Sequence, residues 1–432
     1  MSQFRFARLA LMLAAIGLNA APALMHGASA QNKDAAPAAA AQPPQDTVRP
    51  DLFKLLDPAQ IKPLMDAKNY GEIQNRVTQA DAFPDKTPYE TYVVNRMKLS
   101  LASATSNEPM MTQALEAILA SGKLPEADKA NFTQALATTY FNAKNYPKAI
   151  EMFKQMQANG DKSDAVNTSL IRAYYFSGDY ASTLKLLGPV LDAQEQAGKT
   201  PTQEDLRVYA SSALKVKDDA AYVKGLEKLA AFYPSDDFWT DLISRGIIRK
   251  AGYNQANDTN VLRLQFAAVK QMSPEGYVDL AELALKDGFP TEAKKVVDAG
   301  FAAGVLNSGA HRQLRDRATK GAADDAKNIA AGEASAAKSK NGAGLVNLGW
   351  AYVTMDQFDK GIAFIEQGIA KGGLKVPDEA KLRLGMAYAR AGKKDQAIQT
   401  FETVKAGTGL SDIAKYWILL EKHPSGGTLA AK

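Results

Sequence analysis

Asn131 to Met156 reads NFTQALATTYFNAKNYPKAIEMFKQM, and Ala165 to Val190 reads AVNTSLIRAYYFSGDYASTLKLLGPV. Laid over each other at a shift of 34 residues, the two stretches match in register. Leu136 falls on Leu170, Tyr140 on Tyr174, Asn145-Tyr146 on Asp179-Tyr180, Ala149 on Thr183 and Phe153 on Leu187. A second pair lies near the C-terminus, where 345–369 and 381–404 align at a shift of 36. That alignment puts Leu348-Gly349 on Leu384-Gly385, Tyr352 on Tyr388, Gly361 on Ala397 and Ile365 on Phe401. Within each unit the apolar residues recur at helical spacing, so each predicts helix. A fixed period of this length is the mark of a stacked repeat.

Working outward, weaker copies keep part of the pattern. Residues 201–234 retain Leu206, Ala210, Ala213, Leu226 and Leu229, and 274–300 retain Tyr277, Leu280, Ala281, Ala284 and Ala293. Over 236–271 the signature fades, but Phe238, Trp239, Leu242, Ile243, Ile247 and Ile248 still recur at helical spacing. Stretch 321–344 is rich in Ala, Gly and Lys and reads as a polar helix or a hinge. Sustained alternation is missing, so strands are not expected.

The pattern resembles the tetratricopeptide repeat, two antiparallel helices in 34 residues. Gly349 and Gly385 match its small position 8, Tyr140, Tyr174, Tyr352 and Tyr388 its position 11, and Ala149 and Ala397 its small position 20. Small residues let two helix axes cross at the short end of the ~8–10 Å range, with the Tyr ring filling the space above. The expected fold is all-α, a solenoid of stacked helix pairs forming a superhelix. One pair cannot bury its own apolar stripe, so such arrays need stacked neighbours and capped ends. The final helix, SDIAKYWILLEKH, suits a cap: Ser411 or Asp412 is its expected N-cap, and Ile413, Tyr416, Trp417 and Leu420 form its stripe.

The expected organisation is a secretory signal over 1–30, a disordered Ala/Pro/Gln spacer over 31–50 and an N-terminal array over 51–235. A degenerate helical segment over 236–271, a C-terminal array with its cap over 272–424 and a disordered tail over 425–432 complete it. The signal reading rests on Arg5 and Arg8 before the apolar run Leu9 to Leu18, and on Ala28-Ser29-Ala30, which predicts cleavage before Gln31. The apolar stretch is too short and too interrupted, by Asn19 and Pro22, to span a bilayer needing ~20 residues. Export to a periplasm is therefore expected, with secretion as the alternative. Zero cysteines exclude disulfides, thiol nucleophiles and lipidated cysteine. Loss of 1–30 would leave 50 basic residues against 47 acidic, too even for a nucleic-acid ligand.

Chemistry is sparse. His311 and His423 fit no ligand spacing. His423 sits near a helix C-terminus, where a partly charged imidazole would suit the dipole. Gly198-Lys199-Thr200 imitates the end of a P-loop, but Ala193 stands where its first Gly belongs, so an inter-helix loop is expected. Asp236-Asp237 and Asp324-Asp325 are read as helix starts. No catalytic residue, cofactor or metal site is assigned, and the chain is not expected to be an enzyme.

In the repeat family that the sequence resembles, positions 2, 5, 9, 12 and 13 face a ligand-binding groove. Carried over, these are Asn131, Gln134, Thr138, Phe141 and Asn142, then Arg172, Tyr175 and Phe176, then Arg207 and Lys215, and in the C-terminal pair Trp350, Met386 and Arg390. Aromatic area beside Asn and Arg is typical of protein-binding hot spots. The lysines of the chaperone-type carboxylate clamp are missing from the first two units. The expected function is an exported, non-catalytic scaffold binding a protein or peptide of the envelope or secretion apparatus, with no lipid or transmembrane anchor. The alternatives are a polysaccharide- or peptidoglycan-associated factor and a self-assembling structural solenoid.

Overall fold

The structure is a computed structural model describing residues 46–427. The expected signal peptide, residues 31–45 of the spacer and residues 428–432 of the tail lie outside the described residues. The chain forms two compact units, one ending at Thr183 and the other beginning at Leu184.

The first unit contains α1 (Pro50–Leu56), α2 (Pro58–Asp66), α3 (Tyr70–Asp81), α4 (Pro88–Thr105), α5 (Glu108–Ala120), α6 (Glu126–Asn142), α7 (Tyr146–Ala158) and α8 (Asp164–Ser177), and the first turn of α9 (Tyr180–Gln196). Successive helices pack as hairpins, α4 on α5 and α6 on α7, and α5 and α7 each also pack on the helix that follows. The turns inside the pairs share one device, a residue in the left-handed region followed by an Asn or Asp cap. After α6, Lys144 has φ 59° and the Asn145 side chain accepts from the Lys148 amide. After α8 the same step uses Gly178 at φ 86°, and Asp179 accepts from the Ser182 amide at 3.0 Å.

The folded part begins earlier than the spacer expected to reach residue 50. Val48 is fully buried. The backbone amide and Nε of Arg49 donate to Glu90 Oε1 at 3.0 and 2.9 Å, and Nη2 donates to Oε2 at 2.9 Å. Glu90 also closes a capping box with Thr87 at the start of α4. Burial alone would raise this carboxyl, but the hydrogen bonds from Arg49 and Thr87 overcome it and bring its pKa down to about 2.

The second unit runs from the rest of α9 through α10 (Gln203–Val216), α11 (Asp219–Phe232), α12 (Asp236–Ile243), a π-helical turn (Ser244–Ile248) and α13 (Asp258–Ala268). There follow α14 (Pro274–Lys286), α15 (Pro290–Ala302), α16 (Arg312–Asn328), α17 (Glu333–Lys338), α18 (Ala343–Thr354), α19 (Phe358–Lys371), α20 (Pro377–Arg390), α21 (Lys394–Glu402) and α22 (Gly409–Lys422). The degenerate segment 236–271 is largely helical, and its α12 and α13 pack on α11 and α14. The division of the chain falls within α9.

The small residues act as the pattern predicts. A Cβ added to Gly349 would lie 2.6 Å from the Gly361 carbonyl oxygen, and one added to Gly361 would lie 2.7 Å from that of Gly349. Only glycine at both positions permits this backbone-on-backbone crossing of α18 and α19. The position-11 tyrosines do more than fill space. The Tyr140 hydroxyl bonds Glu116 of the preceding pair, and Lys148 donates to the same carboxylate at 3.0 Å. Tyr352, Glu333 and Lys360 repeat the triad in the second unit, and Tyr388 bonds Glu366.

The last helix is a cap, but it also closes the unit on itself. Trp417 stacks on Phe401 of α21 at 5.8 Å, as a cap should. On its other side Tyr416 and Lys415 both donate to Glu227 of α11, and His423 stands edge-on to Phe232 at 5.7 Å. Gly246, in the π-helical turn, lies directly against the Tyr416 ring and leaves no room for a Cβ. The cap residue is Thr408, whose hydroxyl accepts from the Ser411 amide, rather than Ser411 or Asp412. Asp412 instead pairs with Lys250 at 2.6 Å. The tail expected from residue 425 starts out packed, with Ser425 Oγ donating to the Ala268 carbonyl and Gly427 buried against Ala267 and Ala268.

Two further expectations change. Asp324-Asp325 lie toward the end of α16, not at a helix start, whereas Asp236 does begin α12 and accepts from the Lys270 and Gln271 amides. His423 is the C-cap of α22, yet burial beside Lys394 and Lys422 holds its imidazole below the usual value, against the charged form the dipole would favour.

Candidate functional site

In the first unit the groove positions and their neighbours form an aromatic ladder. Phe141, at the end of α6, meets Tyr146 at 5.6 Å and Phe176 at 5.9 Å, both edge to face. Tyr146, at the start of α7, stacks on Phe176 at 5.9 Å with an interplanar angle of 21°. The ladder continues through Tyr175, 5.5 Å from Phe176, to Tyr180 at 5.7 Å. Phe176 is 55% exposed although its side chain is wholly apolar, and Phe141, Tyr146, Tyr175 and Tyr180 are partly buried. Aromatic pairs of this geometry hold one another at ~0.5–1.5 kcal/mol each beyond area burial. The surface is therefore fixed in shape while keeping ring faces in water.

Helical register explains the convergence. In each repeat the last turn of the first helix and the first residue of the second are joined by the short capped turn, so their rings meet at one edge of the stack. Sequence reasoning found Phe141, Tyr175 and Phe176 but missed Tyr146 and Tyr180. The signal was present in the aligned Asn145-Tyr146 and Asp179-Tyr180 pairs, which place a Tyr at the same point of both units. Of the other expected groove residues of this unit, Asn131, Gln134 and Asn142 are exposed and Arg172 is partly buried. Thr138 is turned to its own helix, donating to the Gln134 carbonyl at 2.8 Å.

In the second unit Arg207 and Lys215 are exposed, with Arg207 over the Phe238 ring at 5.4 Å. Of the remaining expected groove residues, Trp350 and Met386 are interior and Arg390 is partly buried. Trp350 and Met386 are each 1% exposed. Trp350 Nε1 donates to Glu292 Oε2 at 3.1 Å, and the Arg390 guanidinium lies over its ring at 5.4 Å. The reason is closure. Helices α15, α18 and α20, and α13 with α22, pack together, so positions that line an open face in a simple array meet other helices here.

The centre of this interior is polar. Arg263 of α13 grips Glu292 of α15 with Nε and Nη2 at 2.9 and 2.7 Å, and its Nη1 bonds Asn260. Both side chains of the pair are 4% exposed. Burial would raise the Glu292 carboxyl, but Arg263, with Arg390 and Trp350, holds it below its ordinary value. No sequence period marks these residues, because Arg and Glu on a helix read as solvent-facing.

One open cavity of about 630 Å³ lies between α13 and α14, with Ile248, Val261, Leu262 and Leu283 beside Asp258, Asp279, Glu282 and Lys286. Of its acidic groups, Asp258 accepts from the Tyr253 hydroxyl and Glu282 from Arg317. Among the described residues no group of three or more His, Asp or Glu side chains is placed to hold a metal ion.

Residues 343–370 and 379–406 match tetratricopeptide repeat family models, so the chain carries tetratricopeptide repeats in a tandem all-α solenoid. No curated protein matches it. Among solved structures it is similar to the TPR2AB-domain:pHSP90 complex of yeast Sti1, at 13% identity over 68% of this chain and 98% of that one, with a TM-score of 0.22. It is also similar to the P58(IPK) TPR domain, at 12% identity over 87% and 99%, TM-score 0.21, and to yeast Tom70, at 10% over 86% and 96%, TM-score 0.22. Tetratricopeptide repeats suggest a protein–protein interaction scaffold. No helix among the described residues is long and apolar enough to cross a membrane.

Proposed function

We propose that the chain is an exported, non-catalytic scaffold that holds a segment of a partner protein on the aromatic ladder of its first unit. The observation that carries the reading is five contacting rings with Phe176 more than half exposed. Ring faces fixed by one another present a large apolar contact at little entropic cost, and Asn131, Gln134, Asn142 and Arg172 supply hydrogen bonds to a bound backbone. Export to the periplasm, supported by the basic start, the apolar run and Ala28-Ser29-Ala30, makes envelope or secretion-apparatus proteins the partner class.

The test is capture of partners from envelope extract by the chain lacking 1–30 and by a Phe141→Ala, Phe176→Ala double variant. Hot-spot rings cost at least ~2 kcal/mol each when truncated, so retained partner should fall more than tenfold. Undiminished capture removes the site assignment. Retention on purified cell wall in place of protein, lost in the same variant, would shift the ligand to a glycan.

A further inference from the structure

The polar groups that accompany the aromatic ladder divide sharply into engaged acceptors and available donors. At the end of α6 the carbonyls of Tyr140 and Phe141 accept from the Asn145 and Lys144 amides at 2.8 and 3.0 Å. At the end of α8 those of Tyr174 and Tyr175 accept from the Asp179 and Gly178 amides at 3.0 and 3.1 Å. The turn side chains are occupied as well, Asn145 by the Lys148 amide and Asp179 by the Ser182 amide. Each of these acceptors already holds an amide of its own capped turn. The hydroxyls of Tyr146 and Tyr180, in contrast, make no hydrogen bond to another described residue, and each carries a proton to donate.

Such a surface discriminates between kinds of backbone. A strand or an irregular segment laid over the rings brings N–H groups, and an N–H taken from water without an acceptor is costly. Proline carries no backbone N–H and keeps its carbonyl. A proline-rich segment is also extended before it binds, as a polyproline II helix with its backbone carbonyls solvated, so little order is lost on docking. Aromatic-lined surfaces suit it because its rings are compact and recur every third residue. One such turn advances ~9 Å. That lies within the reach of two successive ring contacts of the ladder, 5.9 Å from Phe141 to Phe176 and 5.5 Å from Phe176 to Tyr175.

Resting on the reading that the ladder holds a partner segment, we propose that this segment is proline-rich and binds as a polyproline II helix. Prolines three residues apart sit against alternate rings, Phe141 and Tyr175 or Phe176 and Tyr180. The Tyr146 and Tyr180 hydroxyls donate to the carbonyls between them.

The experiment titrates the full chain into fluorescein-labelled peptides and reads anisotropy, with calorimetry on the unlabelled probes. The probes are decaproline, a proline-free decamer alternating Val and Ser, and chitohexaose. Decaproline should bind saturably and at least tenfold tighter than either of the others. Phe141→Ala with Phe176→Ala should weaken it more than tenfold, because the ring faces are lost. Tyr146→Phe with Tyr180→Phe keeps every ring and removes only the two donors, so it should weaken decaproline at least fivefold. The proposal is overturned by no saturable binding of decaproline, by binding no tighter than that of the Val-Ser decamer or chitohexaose, or by full affinity in the Tyr→Phe variant. The partner reading fails separately, through undiminished capture from envelope extract by the alanine variant, so the results distinguish which of the two is wrong.

Discussion

The two units are built from the same helix pair and use its first helix in opposite ways. In the first, positions 12 and 13 of the repeat carry Phe141, Tyr175 and Phe176, and their rings assemble into a ladder at the surface. In the second, position 9 places Trp350 and Met386 in the interior, with Trp350 against Glu292 and Arg390. The repeat signature specifies how one hairpin packs on the next. It does not specify what meets the remaining face. In the second unit that is decided by α13 and α22, which have no strong repeat character yet bring Tyr416 onto Glu227 and cover helix faces an open array would leave bare.

The largest effect that would break this comparison is at Glu292. Glu292→Gln leaves Arg263 buried without its carboxylate and should cost ~3–5 kcal/mol. Hydrogen exchange would localise the loss to α13, α15, α18 and α20, with α4 to α8 of the first unit unchanged. Equal loss in both units would mean they do not behave as separate cooperative bodies.

Acid sharpens the comparison from the other side, through Glu90. Its folded pKa of about 2 lies below the ordinary carboxyl value near 4.5. Its contribution to the first unit is therefore complete above pH 4.5 and drains away as pH falls toward 2. Screening at half-exposed Arg49 keeps this to the order of 2 kcal/mol. Glu90→Gln should remove that part of the acid dependence, seen as a flatter plot of urea midpoint against pH for the first unit. Smaller still is Tyr140→Phe, which deletes the tether to Glu116 and should cost ~0.5–1.5 kcal/mol by the same urea assay. Tyr352→Phe should match it in the second unit, because the Tyr–Glu–Lys triad is the feature the units share.

Much of the hairpin architecture was legible because its determinants are local. Gly349 and Gly361 can be read as a close crossing once the resemblance to the tetratricopeptide repeat assigns their positions, and the tyrosines eleven residues into each unit identify its register. The ladder was legible in part, since Phe141, Tyr175 and Phe176 follow from position, while Tyr146 and Tyr180 were hidden by the capped turn that precedes them. The closure of the second unit was not legible. Glu227 and Tyr416 stand 189 residues apart and belong to no common period. The buried Arg263–Glu292 pair was equally invisible, because a charged residue on a helix is ordinarily solvent-facing and only its partner on another helix reverses that. Trp350 and Met386 are interior for this reason.

Site-specific photo-cross-linking in living cells tests the contrast most directly, with the cross-linker at position 176 on the ladder and at Ile248, an exposed apolar residue of the second unit, as the matched control. Protein adducts should form from 176, disappear when Phe141 is also changed to Ala, and be absent from 248. Adducts from 248 as abundant as those from 176, or none from 176, would contradict the assignment of partner binding to the open aromatic face.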